Sequence, residues 1–219
     1  MVTTLNDELV RIWVDGWARS HGYETRHEGS VHAALRSDTT GDWEYIILSP
    51  NEEQLSSVAK TVAEHPARTV TVISPTGKEL DGFNLPEPLR IQLSGEKLMV
   101  TNMEDHDVEA PLVPDGFEVK TETKGDKSVV TVRCEETGAL AARGRVVVTD
   151  DVAVFDRIFT AQDFRRKGLG SFVMRALAAE AQDDDTEFGL LVSTNEGLQL
   201  YHYLGLTTLG NVSVLGTDK

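Results

Sequence analysis

The sequence predicts an α/β chain of the mixed α+β kind: a mostly antiparallel, twisted sheet with flanking helices, preceded by a smaller α/β domain. Three observations lead there. Residues 117–160 fall into four runs of alternating or β-branched residues separated by short turns, the pattern of an antiparallel meander. Residues 152–171 read as strand, glycine-rich basic turn and helix start, with Leu169, Val173 and Leu177 recurring at helical spacing. Residues 43–74 read as strand, helix and strand, which implies a right-handed crossover between parallel neighbours.

From the N-terminus, Leu9, Trp13 and Trp17 recur at i, i+4 and i+8. That predicts a helix over residues 5–20 with both tryptophans in the core and Gly22 as its stop. Strands are expected at 31–35 and 43–48, around a turn-rich segment at 37–42. Ser49 is placed to cap the next helix, with Pro50 at its first position and Glu52 completing a capping box. Pro66 ends that helix, and the β-branched run 69–74 follows as a strand. Residues 90–101 are expected to hold two short strands. An acidic segment, 104–109, and the proline-bounded 110–114 then read as a linker, dividing the chain into domains of residues 1–110 and 111–219. The meander strands are expected at 117–122, 128–134, 140–148 and 152–160.

Composition narrows the function. A formal charge of −15 over 219 residues argues against a nucleic-acid partner, because two polyanions repel. The same charge suits either a solvated surface or attraction of a cationic amine. No apolar run approaches the ~20 residues of a membrane span, and residues 1–13 lack the basic start and apolar core of a signal peptide. With the single cysteine, Cys134, excluding an internal disulfide, a cytoplasmic location is expected. Cys134 itself reads as a small core residue within its strand. The six histidines show no metal-ligand spacing, so no metal is expected.

The turn after residue 160 points to one ligand class. Gly168 and Gly170 let the backbone approach closely, the following helix start supplies partial positive charge, and Arg165, Arg166 and Lys167 add whole charges. Such a turn suits a phosphate or pyrophosphate. The run Arg165-Arg166-Lys167-Gly168-Leu169-Gly170 fits R/Q-x-x-G-x-G/A, and residues 195–206, NEGLQLYHYLGL, fit N-x-A-x-x-L-Y-x-x-L-G-F with Gly197 in the Ala place and Leu206 in the Phe place. On these two motifs residues 115–219 resemble the GCN5-related N-acetyltransferases. The resemblance implies the acyl-CoA N-acyltransferase fold for the second half. The first half, with its own strand–helix–strand, is either a degenerate copy or an unrelated cap. One departure is clear: the family's two helices between its first and second strands have no room in residues 123–127.

The resemblance also implies the site. Arg165, Arg166, Lys167, Gly168, Leu169, Gly170 and Ser171 would hold the pyrophosphate of acetyl-CoA or another acyl-CoA. Main-chain groups of Ile158, Phe159 and Thr160 would pair with the pantetheine arm, and Asn195 would cap its helix and touch that arm. Tyr201 stands at the family's general acid for the departing thiolate. The position of the glutamate base of histone-type members holds Val154, and Asp156, two residues on and on the same strand face, is the candidate in its place. The expected activity is transfer of an acetyl group from acetyl-CoA to a primary amine, on a small molecule or peptide, by direct attack with both substrates bound. A homodimer is compatible with this, and neither nucleic acid nor membrane is an expected partner. The competing reading is an acyl-CoA-binding sensor without turnover.

Overall fold

The computed structural model describes residues 4–78, 80, 84–106, 109–182 and 186–217. In chain order its elements are α1 (Asp7–His21), β1 (Thr25–Glu28), β2 (Val31–Leu35), β3 (Trp43–Leu48), α2 (Glu52–Ala63), β4 (Thr69–Ser74) and β5 (Leu89–Asn102). There follow β6 (Phe117–Lys124), β7 (Lys127–Cys134), β8 (Leu140–Thr149), β9 (Val152–Thr160), α3 (Leu169–Ala181), β10 (Phe188–Ser193), α4 (Leu198–Tyr203) and β11 (Thr207–Thr217). Two units emerge, one of residues 1–99, 192–198 and 208–219, the other of 100–191 and 199–207.

In the first unit the strand order is β1-β2-β3-β4-β11-β5. Strands β3 and β4 are parallel and stay in register from Glu44↔Thr69 to Leu48↔Ile73. The crossover between them is α2, whose Leu55, Val58, Ala59 and Val62 face the sheet and pack with Ile47, Val70, Val72 and Leu215. Burying side chains of this size is worth roughly 1.5–3 kcal/mol each, which is what fixes the helix to this face. Strand β11 pairs antiparallel with β4, from Asn211↔Ser74 to Gly216↔Thr69. On α1, Trp13 is buried and stacks on Trp17 at 5.8 Å, while Trp17 is only half-buried, so the expected core pair is half realised.

The second unit carries the order β10-β9-β8-β7-β6. Its meander pairs Phe117↔Cys134 at one hairpin and Thr149↔Val152 at the next but one. Helix α3 buries Leu169, Val173 and Leu177, the three residues whose spacing predicts it. Gly144 on β8 makes that packing close: a Cβ there would lie 2.6 Å from Ile158 Cδ1, 2.7 Å from Val173 Cγ1 and 2.8 Å from Leu177 Cδ1.

Several expectations change. The cap of α2 is Asn51, not Ser49: the Asn51 carboxamide accepts from the Gln54 amide, and Gln54 returns the bond to the Asn51 amide. Ser49 lies instead at φ 42, ahead of Pro50, so the capping box starts two residues later than the serine suggests. Residues 90–101 belong to one long strand, β5, because the backbone stays extended on both sides of Gly95, itself at φ 93. The division expected at 110/111 also differs, since β11 finds its antiparallel partner in β4 and so joins the first unit. Of the expected linker, Asp107 and Val108 lie outside the described residues. Cys134 ends β7 and is half-exposed rather than in the core.

Candidate active site

The site begins where β9 and β10 part. Their parallel register covers Phe188↔Val152, Gly189↔Ala153 and Leu190↔Val154, while β9 runs on to Thr160. Beyond Val154 no register with β10 continues among the described residues, and the main chain of Ile158, Phe159 and Thr160 lies where a ligand could add like a strand. The first unit's parallel pair, β3 and β4, shows no such opening, because it holds register to the end of β3.

A bulge re-aims the same stretch. Opposite β8 the register passes from Arg145↔Asp156 to Arg143↔Phe159, so Arg157 and Ile158 together oppose Gly144. Arg157 takes φ 49, and Phe159 beyond it is 47 % exposed. Such insertions bend a strand and redirect its side chains.

After Thr160 a short 3-10 turn, Gln162–Phe164, leads into the basic loop. Arg166 at φ 63 and Gly168 at φ 78 lie in the left-handed region. Gly168 is the N-cap of α3 and offers no side-chain cap, and the first intrahelical bond is from the Phe172 amide to the Gly168 carbonyl at 2.9 Å. The amides of Leu169, Gly170 and Ser171 therefore have no acceptor within the helix, and they point out of its start. Nothing lies within 4 Å of a Cβ built on Gly168, whereas one on Gly170 would meet Leu200 Cδ2 at 3.0 Å and Thr160 Oγ1 at 3.6 Å. One glycine answers to backbone conformation and open approach, the other to packing. Arg165, Arg166 and Lys167 are all exposed. Arg165 Nε donates to the Thr160 carbonyl at 3.4 Å, tying the loop back to β9, and Lys167 Nζ lies 5.4 Å from the Phe164 ring.

Tyr201, on α4, is 7 % exposed. Burial first, and the charge of Asp156 second, push its hydroxyl up to about 12. Asp156 is thus close enough to be felt by the phenol, and it is half-buried on β9. Val154, in the place of the family glutamate, is fully buried and apolar. The second unit therefore brings together Asp156, Ile158, Phe159, Thr160, the loop 165–171 and Tyr201. Asn195 falls in the other unit: it is exposed, its amide nitrogen lies against Gly95, and α4 starts only at Leu198, so Asn195 is not at the capping position. Sequence reasoning missed the bulge and Arg157. The only trace of them is Gly144 standing between two arginines in an otherwise regular strand.

The profile of the acetyltransferase (GNAT) family matches residues 98–205, a span that includes the parted strands, the basic loop and Tyr201. Residues 98–205 belong to that family. Solved structures extend the likeness in fold. A GCN5-related N-acetyltransferase from Kribbella flavida superposes with TM-score 0.70 at 14 % identity, covering 100 % of this chain and 97 % of its own. A tandem GNAT protein from the clavulanic acid biosynthesis pathway gives TM-score 0.59 at 12 % identity over 88 % of this chain and 82 % of its own. A GCN5-related N-acetyltransferase from Sphaerobacter thermophilus gives 0.55 at 10 % over 86 % and 82 %. The fold shared with these proteins thus covers both halves of the chain. No curated protein sequence matches the chain. Among the described residues no helix is long and apolar enough to cross a membrane, and no group of three or more His, Cys, Asp or Glu is placed to hold a metal ion.

Proposed function

We propose that the protein is an acyl-CoA-dependent N-acyltransferase that moves an acetyl group from acetyl-CoA to a primary amine, with the reaction confined to the second unit. The observation that carries this is the parting of β9 from β10 beside an α3 start that has no cap of its own. These are the two features an acyl-CoA needs: an unpaired strand edge for its amide-bearing arm and convergent amides for its pyrophosphate. The residues fit the group. The amides of Leu169, Gly170 and Ser171 with Arg166 and Lys167 would hold the pyrophosphate, and the main chain of Ile158, Phe159 and Thr160 the arm. When bound, acetyl-CoA supplies an activated thioester; the protein supplies position, a proton donor and a proton acceptor.

Tyr201 is the donor toward the sulfur. With its hydroxyl at about 12, full transfer of the proton to a thiolate of ordinary pKa, about 8.5, is uphill by several kcal/mol, roughly 1.36 per unit. The hydroxyl therefore acts as a hydrogen-bond donor that stabilises developing negative charge on sulfur, a contribution present in the transition state and small before it. Asp156 is the acceptor for the ammonium proton of the incoming amine, directly or through one water.

Val154 favours the second reading, an acyl-CoA-binding sensor, because a buried valine cannot take a proton. A screen of primary amines with acetyl-CoA, followed by thiol release and mass spectrometry of the acceptor, separates the two. Acetylated amine above background is the expected result. Tight CoA binding with no acetylation across the screen would establish the sensor.

A further inference from the structure

The face of the meander bearing Arg143 has a hollow of about 450 Å³ lined by Leu140, Arg143, Arg145, Arg157, Ile158 and Phe159. Every charged residue on its wall is an arginine. The adjoining hollow, about 390 Å³, shares Leu140 and Arg143 but mixes Lys120 and Arg133 with Glu118 and Glu122. In a chain of net charge −15, three guanidinium groups around one concavity stand against the overall balance.

The fold puts them there. Arg143 and Arg145 are i and i+2 on β8 and so share a face. Arg157 joins them because the bulge opposite Gly144 holds it at φ 49, in the left-handed region where a non-glycine residue is uncommon. Carboxylates near them include Asp156, which pairs in register with Arg145, Glu122, which feels the charge of Arg143, and Glu118, which lines the adjoining hollow with Arg143. Lys127 on β7 feels the same groups: burial lowers its pKa first, Arg145 and Arg143 push the same way, and Asp156 and Asp126 oppose them. The volume lies in the range of about 300–1,000 Å³ usual for small-ligand sites. Guanidinium forks match carboxylate and phosphate oxygens in pairs, and the exposed Phe159 ring gives the hollow an apolar wall. Phe159 also belongs to the strand edge assigned to the acyl donor, so the hollow opens beside the place where the amine must arrive.

We infer that this hollow binds the anionic end of the acceptor, which is a small amine bearing a carboxylate or phosphate. The inference rests on the acetyl-transfer reading for the word acceptor; the anion site itself does not. Of the two readings of the net charge, it leaves the attraction of a cationic amine acting on the amino end alone.

Binding can be read without turnover. The full-length protein, saturated with CoA, is titrated calorimetrically with O-phosphoethanolamine beside ethanolamine, and with β-alanine beside its amide. The anionic member of at least one pair is expected to bind at least about tenfold tighter than its counterpart, with a preference that shrinks as salt rises. Arg143→Gln with Arg157→Asn, the latter a residue that tolerates a left-handed backbone, is expected to abolish the preference while CoA affinity stays within about twofold. Arg143→Gln alone, at an exposed strand position, serves if the double variant does not fold. Equal binding within both pairs, or a preference that survives the arginine substitutions, overturns the inference. So does a large loss of CoA affinity in the variants, which would assign the arginines to the acyl donor. If CoA does not bind the wild type at all, the acetyl-transfer reading falls, and the same titrations on the CoA-free protein still decide the anion site.

Discussion

At the residue scale the proposed chemistry rests on Tyr201 more than on any other side chain. Burial, with the charge of Asp156, holds the hydroxyl at about 12, so it stays protonated through neutral and mildly basic pH. Tyr201→Phe keeps the ring in place and removes one hydrogen-bond donor. Turnover should fall about a hundredfold, the low end of an acid–base contribution, because the donor stabilises charge without giving up its proton. CoA affinity should change by less than about threefold, ~0.7 kcal/mol. Stopped-time assays on the first active amine, with CoA binding measured in parallel, check both numbers. The pH profile adds a sharper test. A phenol this high contributes no limb below about pH 11, so a basic limb near pH 9–10 that disappears in Tyr201→Phe would contradict the assignment.

At the element scale two helices that follow a parallel strand differ in how they begin. Helix α2 satisfies its own first turn through the Asn51–Gln54 capping box, whereas α3 starts at a left-handed glycine with no side-chain cap. One start is closed to an anion and the other is open. Asn51→Ala should therefore cost about 1 kcal/mol in urea unfolding and leave CoA affinity untouched. Gly168→Val should lose most CoA binding, because a branched side chain is strained at φ 78 and also projects into the open approach. Much of this was legible beforehand. The meander strands, α3 and the β3–α2–β4 crossover are local, with periods of two or 3.6 and turn residues between them, and periodicity reports local structure well. The cap was misplaced because Ser49, Pro50 and Asn51 all carry start signals, and only the φ of Ser49 and the bond to Gln54 decide among them. The parting of β9 from β10 had no signature of its own, since it depends on where a register between distant segments stops.

At the scale of the whole molecule the sequence suggested a cut at 110/111, and the fold does not follow it. Strand β11 is built from the last residues of the chain yet pairs with β4 over six positions. Residues 111–219 expressed alone should therefore expose β11 as an unpaired edge and aggregate or fail to melt cooperatively. A soluble fragment of that length with full CoA affinity would show that β4 is dispensable. The charge of the whole is likewise an average: −15 describes the mean surface, while the basic loop and the arginine hollow are local and screened from the rest within about 8–10 Å.

The central claim is that the second unit holds acyl-CoA at the α3 start and along the open edge of β9. Isothermal calorimetry of acetyl-CoA and of CoA into the full-length wild type, beside Arg165→Ala and Gly168→Val, tests it most directly. Saturable binding of both ligands to the wild type, a loss of about tenfold or less in Arg165→Ala, whose Nε is partly engaged by Thr160, and near-abolition in Gly168→Val are predicted. No heat from either ligand at about 1 mM, the weak end of specific binding near −4 kcal/mol, would contradict it.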